Sequence, residues 1–224
     1  MHSRNLLIFL ALLAISFLPF RPAQAEDPAL AAVLAKLDAA AQDFHTTTAN
    51  FEFDNIQTDP IPDTDRMTGI TYYDRSGSHF RWGAHVTGHN GRPALKTYVY
   101  SGGVLRVSDT GKESDAKAYS QAGKYESYFA LGFGASGKEL EEQWTIRYLG
   151  REKIGDIETD KLELVAKDPQ VRKNIPKVTV WMDTAHAVSL KLVFDESEGQ
   201  SRVCTYSNIE VNRSLPKTAF TFDK

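Results

Sequence analysis

The residues with the widest chemical repertoire in this chain are its histidines, one cysteine and a short acidic stretch. His79, His85 and His89 are of the type that ligates zinc. His79 and His85 share one face of an alternating segment, six residues apart, which at strand rise separates them by about 20 Å. They therefore cannot share a metal within one unbroken strand, and only His85 with His89, across a loop, stays open as a pair. Asp59, Asp63 and Asp65 carry hard oxygen ligands, yet they lack the ligand spacing of a calcium loop and read more simply as a solvated acidic loop. Cys204 lies in the alternating run Arg202-Val203-Cys204-Thr205-Tyr206, where a thiol is a small core residue rather than a nucleophile. No G-x-S-x-G, H-E-x-x-H, C-x-x-C, phosphate-binding or dinucleotide-binding pattern is present. The expectation is a protein with no catalytic residues, no metal and no cofactor; a hydrolase would need a polar constellation that the sequence does not supply.

The elements around these residues change period along the chain. Asp27-Pro28 is an N-cap acceptor followed by proline at the first helical position. Leu30, Val33, Leu34, Leu37, Ala41 and Phe44 then recur at helical spacing, predicting an amphipathic helix that ends near His45. From Thr46 the period becomes two. Alternating segments follow at 49–54, Met67–Asp74, His79–Val86, Ala94–Tyr100 and Val104–Ser108, with Thr58–Arg66 as a loop. Between Ser114 and Trp144 alternation fails, and helices are expected around Ala116–Leu131 and Lys138–Gln143. Strands resume at Thr145–Lys153, Ile157–Lys167, Lys177–Asp183, Val188–Asp195 and Ser201–Val211, with a short last strand Ala219–Phe222. Repeated hairpins without βαβ units mean one antiparallel sheet of about ten or eleven strands. A sheet that wide must curl, and its apolar concave side must be covered or filled.

The first 25 residues read as an address rather than structure. Met1–Ala25 has Arg4 and Arg21, no acid, an apolar run Leu6–Phe20, and then Ala23-Gln24-Ala25, a small-x-small cleavage pattern. A retained anchor is the rival, but the run is short for a span of about 20 residues, and Pro19 interrupts it. Removing 25 of 224 residues leaves 199, and losing two arginines takes the formal net charge from −3 to −5. Such a balance excludes a nucleic-acid binder, which needs concentrated basic residues. One cysteine permits no internal disulfide, so an exported chain of this kind stands on packing alone. A chain 42% hydrophobic and of this length can bury about 70% of its unfolded surface, which suits one domain over 26–224.

The aromatic residues of the non-periodic stretch are the least explained by strands. Tyr119, Tyr125, Tyr128, Phe129 and Phe133 lie among Gly123, Gly132, Gly134 and Gly137. They form either a lid over an apolar cavity or a helix packed permanently across the open sheet face, and the two readings are compatible.

Several stretches, in order, resemble one family. They are Phe44-His45-Thr46-Thr47-Thr48-Ala49-Asn50-Phe51, Gly69-Ile70-Thr71-Tyr72-Tyr73 with Phe80-Arg81-Trp82, and Ser101-Gly102-Gly103-Val104-Leu105. Val178–Asp183, Val188–Lys191, Tyr206–Asn212 and Leu215–Phe220 continue the pattern to the C-terminus. Together they resemble the periplasmic outer-membrane lipoprotein carrier (LolA-like) superfamily, in its lipoprotein-sorting branch. The resemblance implies a mainly β fold with helical cover: a half-open antiparallel barrel of about eleven strands with one N-terminal helix and a central helical insert. It implies an apolar cavity lined by Phe51, Phe53, Ile70, Tyr72, Phe80, Trp82, Leu95, Val99 and Leu105, each of which also reads as plain core. Tyr125, Tyr128, Phe129 and Phe133 would belong to the lid. The carriers' lid-holding arginine has its nearest match in Arg75, with Arg81 the other candidate; Arg75-Ser76-Gly77 lacks the family's proline.

By the same resemblance the protein would be a soluble periplasmic monomer that binds acyl chains of lipoproteins or lipids. It would take them from an inner-membrane ABC transporter and pass them to an outer-membrane receptor. The alternative is a non-catalytic periplasmic sensor or regulatory protein on the same scaffold, binding another envelope protein.

Overall fold

The computed structural model describes residues 27–76, 79–196 and 199–223, so the expected signal peptide lies outside the described residues. The chain opens on helix α1 (Pro28–Gln42), started by Asp27, whose Oδ1 accepts from the Ala29 amide at 2.9 Å. The helix ends at Gln42, earlier than its apolar spacing predicts. Phe44 does not continue the helical face; it turns into a separate aromatic cluster with Tyr73, Tyr100 and Phe133.

Eleven strands follow: β1 (Thr46–Gln57), β2 (Asp63–Ser76), β3 (His79–His89), β4 (Arg92–Ser101), β5 (Val104–Ser108), β6 (Lys117–Tyr119), β7 (Trp144–Ile154), β8 (Ile157–Ala166), β9 (Lys177–Asp183), β10 (Val188–Asp195) and β11 (Gln200–Val211). They form one sheet in the order β6-β5-β4-β3-β2-β1-β11-β10-β9-β8-β7, and every neighbouring pair is antiparallel. The first and last strands meet at the centre, and β6 and β7 are its two edges, so the barrel is half open. β2 begins at Asp63, so the acidic loop is shorter than expected: Asp63, Thr64, Asp65 and Arg66 pair with Gln57, Ile56, Asn55 and Asp54.

The middle of the chain holds β6, a 3-10 turn (Ala122–Tyr125), helix α2 (Glu126–Phe129) and helix α3 (Gly137–Gln143). α3 is fixed by a capping box between Ser136 and Glu139, a signal present in the sequence. Helix α4 (Pro169–Asn174) lies between two of the expected strands, and its start at Asp168-Pro169 repeats the chemistry of Asp27-Pro28: Asp168 Oδ1 caps Gln170 N at 2.7 Å.

Helical cover is unequal across the sheet. Val33, Leu34 and Leu37 of α1 pack with Leu140 of α3, Trp144, and the concave residues Leu162, Leu164, Val178, Val180 and Leu192. Each of these large side chains stabilises the fold by about 1.5–3 kcal/mol on full burial. Lys138 N donates to Asp38 Oδ1 at 3.0 Å, which ties the two helices. The β7–β10 half of the trough is therefore filled.

The opposite, convex face of β3–β5 is covered by the C-terminal segment. Ala219–Phe222 is a turn-bearing strap rather than the expected strand, because its polar backbone groups meet the sheet singly instead of along a ladder. Ala219 O lies 3.4 Å from His85 Nε2, Arg81 stacks over Phe220 at 4.4 Å, Arg106 stacks over Phe222 at 4.9 Å, and Asp223 N donates to Gly111 O at 2.8 Å. A Cβ on Gly83 would stand 2.1 Å from Ala219 O, so strap and strand fit only with glycine there. Gly83→Ala is expected to release the strap, read as trypsin cleavage at Lys217 in protein that stays folded. A Lys217 bond as resistant as in the unsubstituted protein would mean the strap is not held this way.

Candidate functional site

The half of the trough left unfilled contains a cavity of about 610 Å³, within the usual range for one small ligand. Its floor follows from register. Phe51, Phe53 and Asn55 of β1 face Tyr206, Cys204 and Arg202 of β11, and Leu192 and Phe194 of β10 stand beyond them. On the other side are Met67 and Tyr73 of β2, Trp82, Ala84 and Val86 of β3, Tyr98 of β4 and Leu105 of β5. Tyr128, Phe129 and Leu131 close the top, with Asn174 and Ile175 at the end of α4.

α2 spans the trough with two aromatic arms. Phe129 stacks on Trp82 (5.2 Å, 10°) and tilts against Tyr100 (5.1 Å, 39°). Tyr128 meets Trp144 edge-on at 4.8 Å and Phe194 at 6.5 Å. The Tyr100 hydroxyl donates to the Glu126 carboxylate at the start of α2. Burial and that carboxylate hold the Tyr100 phenol well above its ordinary range, so it remains a donor. Downstream the insert is pinned harder: Gly134 N donates to Ala187 O at 2.8 Å, Ser189 N to Gly132 O at 2.5 Å, and Phe133 stacks on Tyr73 at 3.9 Å. The insert thus joins a short aromatic cover to a fixed anchor.

The residues expected to line a cavity divide into four groups. Phe51, Phe53, Trp82, Leu105, Tyr128 and Phe129 come together around it. Phe80 and Phe133 lie in the adjoining aromatic cluster, buried. Ile70, Tyr72 and Val99 are corrections: register puts them opposite His85, Gly83 and Gly83 on the convex face, where Tyr72 meets the His85 ring edge-on at 5.6 Å. Leu95 is also a correction, 67% exposed near the sheet edge. The side chain of Tyr125 lies outside the described residues. Arg75 Nη2 holds Glu139 of α3 at 2.9 Å, which ties the insert's second helix to β2. Arg81 pairs with Asp74 and stacks on Phe220 of the strap, on the convex side and away from the insert.

Sequence reasoning missed Asn55, Met67, Tyr73, Tyr98, Leu192, Phe194, Arg202 and Tyr206 as cavity wall. β11 lies beside β1 only through a pairing that spans the chain, so no local pattern marks Tyr206 or Arg202 as neighbours of Phe51 and Asn55.

His85 and His89 do not assemble. His85 turns to the convex face, while an irregularity between Val86 and Gly88 brings His89 to Asp65 at the other. The hydrogen bond from His89 is the main cause holding the Asp65 carboxyl below its ordinary range. The side chain of His79 lies outside the described residues. Among the described residues no group of three or more His, Cys, Asp or Glu could hold a metal ion.

Cys204 is buried in the floor, and burial pushes its thiol up to about 12. A neutral thiol is a poor nucleophile. We expect Cys204 to resist a thiol-disulfide reagent at about pH 8 in the folded protein and to react fully on unfolding; fast reaction in the folded protein would contradict its burial. The unfolded thiol ionises near 9.0, so this contribution to stability is complete below that pH and is lost as pH rises toward about 12.

No family model matches the sequence, and no curated protein matches it. Solved structures do. A crystal structure of MucB is 12% identical, covering 88% of this chain and 63% of that one, with a TM-score of 0.54. The complex of Pseudomonas aeruginosa MucA and MucB gives 12% identity, 86% and 60% coverage, and 0.51. An uncharacterized conserved protein from Thermus thermophilus gives 9% identity, 86% and 92% coverage, and 0.51. The chain spans about three-fifths of the MucB chains it matches. At such identities the likeness is one of fold: this chain has the half-open, helix-covered sheet that these proteins share.

Proposed function

We propose that this chain is a non-catalytic binding protein of the periplasm whose cavity receives the apolar part of an amphiphile. The observation that carries the reading is the cavity itself, unfilled beneath an aromatic cover on a sheet whose other half is packed solid. An acyl chain gains about 0.8 kcal/mol for each CH₂ buried, and a soluble protein moving one must hide that surface from water. The signal-peptide pattern expected over Met1–Ala25 supports the compartment. Carriage of lipoprotein acyl chains toward the outer membrane, from an ABC transporter to a receptor, is the most specific form of this reading.

A specific observation favours a second use of the same scaffold. The MucB structures score 0.51 and 0.54, and one of them is a complex with another protein, MucA. A regulatory protein that binds an envelope partner, with the cavity as its sensing site, is therefore better supported than shuttling. Native mass spectrometry of protein purified from its own periplasm tests the common core of both: acyl-bearing adducts are expected. Bare protein alone, with no binding of a fluorescent fatty acid, would overturn it. A pull-down that recovers a membrane-anchored signalling protein without lipoproteins would decide for the regulatory use; recovery of lipoproteins would decide for carriage.

A further inference from the structure

The cavity is polar at one end only. Along the β1–β11 seam the facing pairs run Phe51 with Tyr206, Phe53 with Cys204, then Asn55 with Arg202. The far end is aromatic, where Tyr73 stands opposite Trp82 beneath Phe129. Arg202 is the one charged side chain in the cavity wall among the described residues, and Asn55 and Asn174 line the same wall.

The guanidinium is held in place rather than free in water. Its Cζ lies 6.0 Å from the centre of the Phe194 ring, and Nη2 pairs with Glu196 just past the end of β10. Its Nε is buried without an acceptor. An arginine keeps its charge even when partly desolvated and presents Nε and Nη as a fork that matches two anionic oxygens. Here one prong is taken by the Glu196 carboxylate, just past the end of β10, and the other has no acceptor.

We propose that Arg202 is the headgroup site of this cavity, selecting a single-chain amphiphile with an anionic head, a carboxylate or a phosphate monoester, over a neutral one. This rests on the reading of the cavity as an apolar-chain site. The tail lies along Phe53 and Phe51 toward Trp82 and Phe129; the head takes the free Nε and displaces Glu196, which acts as the resident competitor. One cation and a volume suited to one ligand fit one chain with one charged head.

The test is equilibrium binding of laurate, dodecyl phosphate and dodecanol, by displacement of a fluorescent fatty acid, to the full mature chain and to two variants. The unsubstituted protein is expected to bind at least one of the two anions about tenfold or more tighter than the alcohol, as charge-assisted hydrogen bonds allow. Arg202→Met should erase that difference while leaving dodecanol unchanged. Glu196→Gln removes the competitor and should tighten the anions, so the proposal stands or falls even if Arg202→Met folds poorly. Whichever anion binds more tightly identifies the head as carboxylate or phosphate. Equal affinities for anions and alcohol in the unsubstituted protein, or an equal loss of all three in Arg202→Met, would overturn the headgroup site and leave the cavity reading intact. Failure of all three probes to bind would overturn the cavity reading and this site with it.

Discussion

Phe129→Glu is expected to weaken uptake of a fluorescent fatty acid about a hundredfold while the protein remains folded. Phe129 is the arm of α2 that closes the cavity, stacked on Trp82 and against Tyr100. Two aromatic pairs contribute about 0.5–1.5 kcal/mol each, beyond what burial of the ring provides. The substitution removes both and places a carboxylate where its charge would have to be desolvated against apolar wall, which costs several kcal/mol more. A loss of about 3 kcal/mol corresponds to roughly a hundredfold weaker binding. The fold itself rests on the packed α1–α3 half and the anchor at Phe133, so the loss should appear in affinity much more than in melting temperature. Titration with the probe, alongside thermal unfolding, separates the two. Unchanged affinity would mean that α2 is scaffold and closes nothing.

The second large effect is on stability. Gly132→Ala should lower the melting temperature by about 6–12 °C, from a loss of about 3 kcal/mol in a chain of this size. Gly132 has φ +80°, and a Cβ there would lie 1.6 Å from Ser189 Oγ and 2.5 Å from its Cβ. Ser189 cannot move aside: it is fully buried, its amide bonds Gly132 O, and its hydroxyl points to Met182 Sδ at 3.8 Å. Gly103→Ala is the control. It has φ +82° with nothing within 4 Å of an added Cβ, so it tests strain without collision and should cost only about 1 kcal/mol. Differential scanning calorimetry of the two variants checks the account. A Gly132→Ala melting point equal to that of Gly103→Ala would mean the insert is not anchored at β10.

Ten of the eleven strands were legible in the sequence because alternation survives wherever a sheet has two unlike environments, whereas β6 falls in the stretch expected to be helical. The helix start at Asp27-Pro28 was legible from capping chemistry, and the one at Ser136 was overlooked. Phe51, Phe53 and Trp82 lie on the cavity face. Tyr72 and Val99 fall on the other side because both faces of β2–β4 are apolar: one looks into the cavity, the other is covered by the strap around Ala219 and Phe222. When both sides are dry, period two fixes which residues share a side without saying which side is which. Tyr73 and Tyr98, each one residue away, stand in the wall instead, and Ile70 shares the parity of Tyr72. Arg202 was beyond reach for a different reason. Its meaning depends on facing Asn55 across a pairing that closes only when the two ends of the chain meet.

A second hollow of about 890 Å³ lies at the β7–β8 and β9–β10 turns, lined by Ile154, Ile157, His186, Leu190, Ile209 and Arg213 among others, and it provides a built-in contrast. A crystal structure of the protein with a brominated fatty acid would locate the chain directly through the anomalous scattering of bromine. With bromine at the chain terminus, the account predicts a peak inside the cavity at its aromatic end, against the Trp82–Phe129 stack. A peak confined to the second hollow, or no ordered bromine at concentrations that saturate binding in solution, would contradict it.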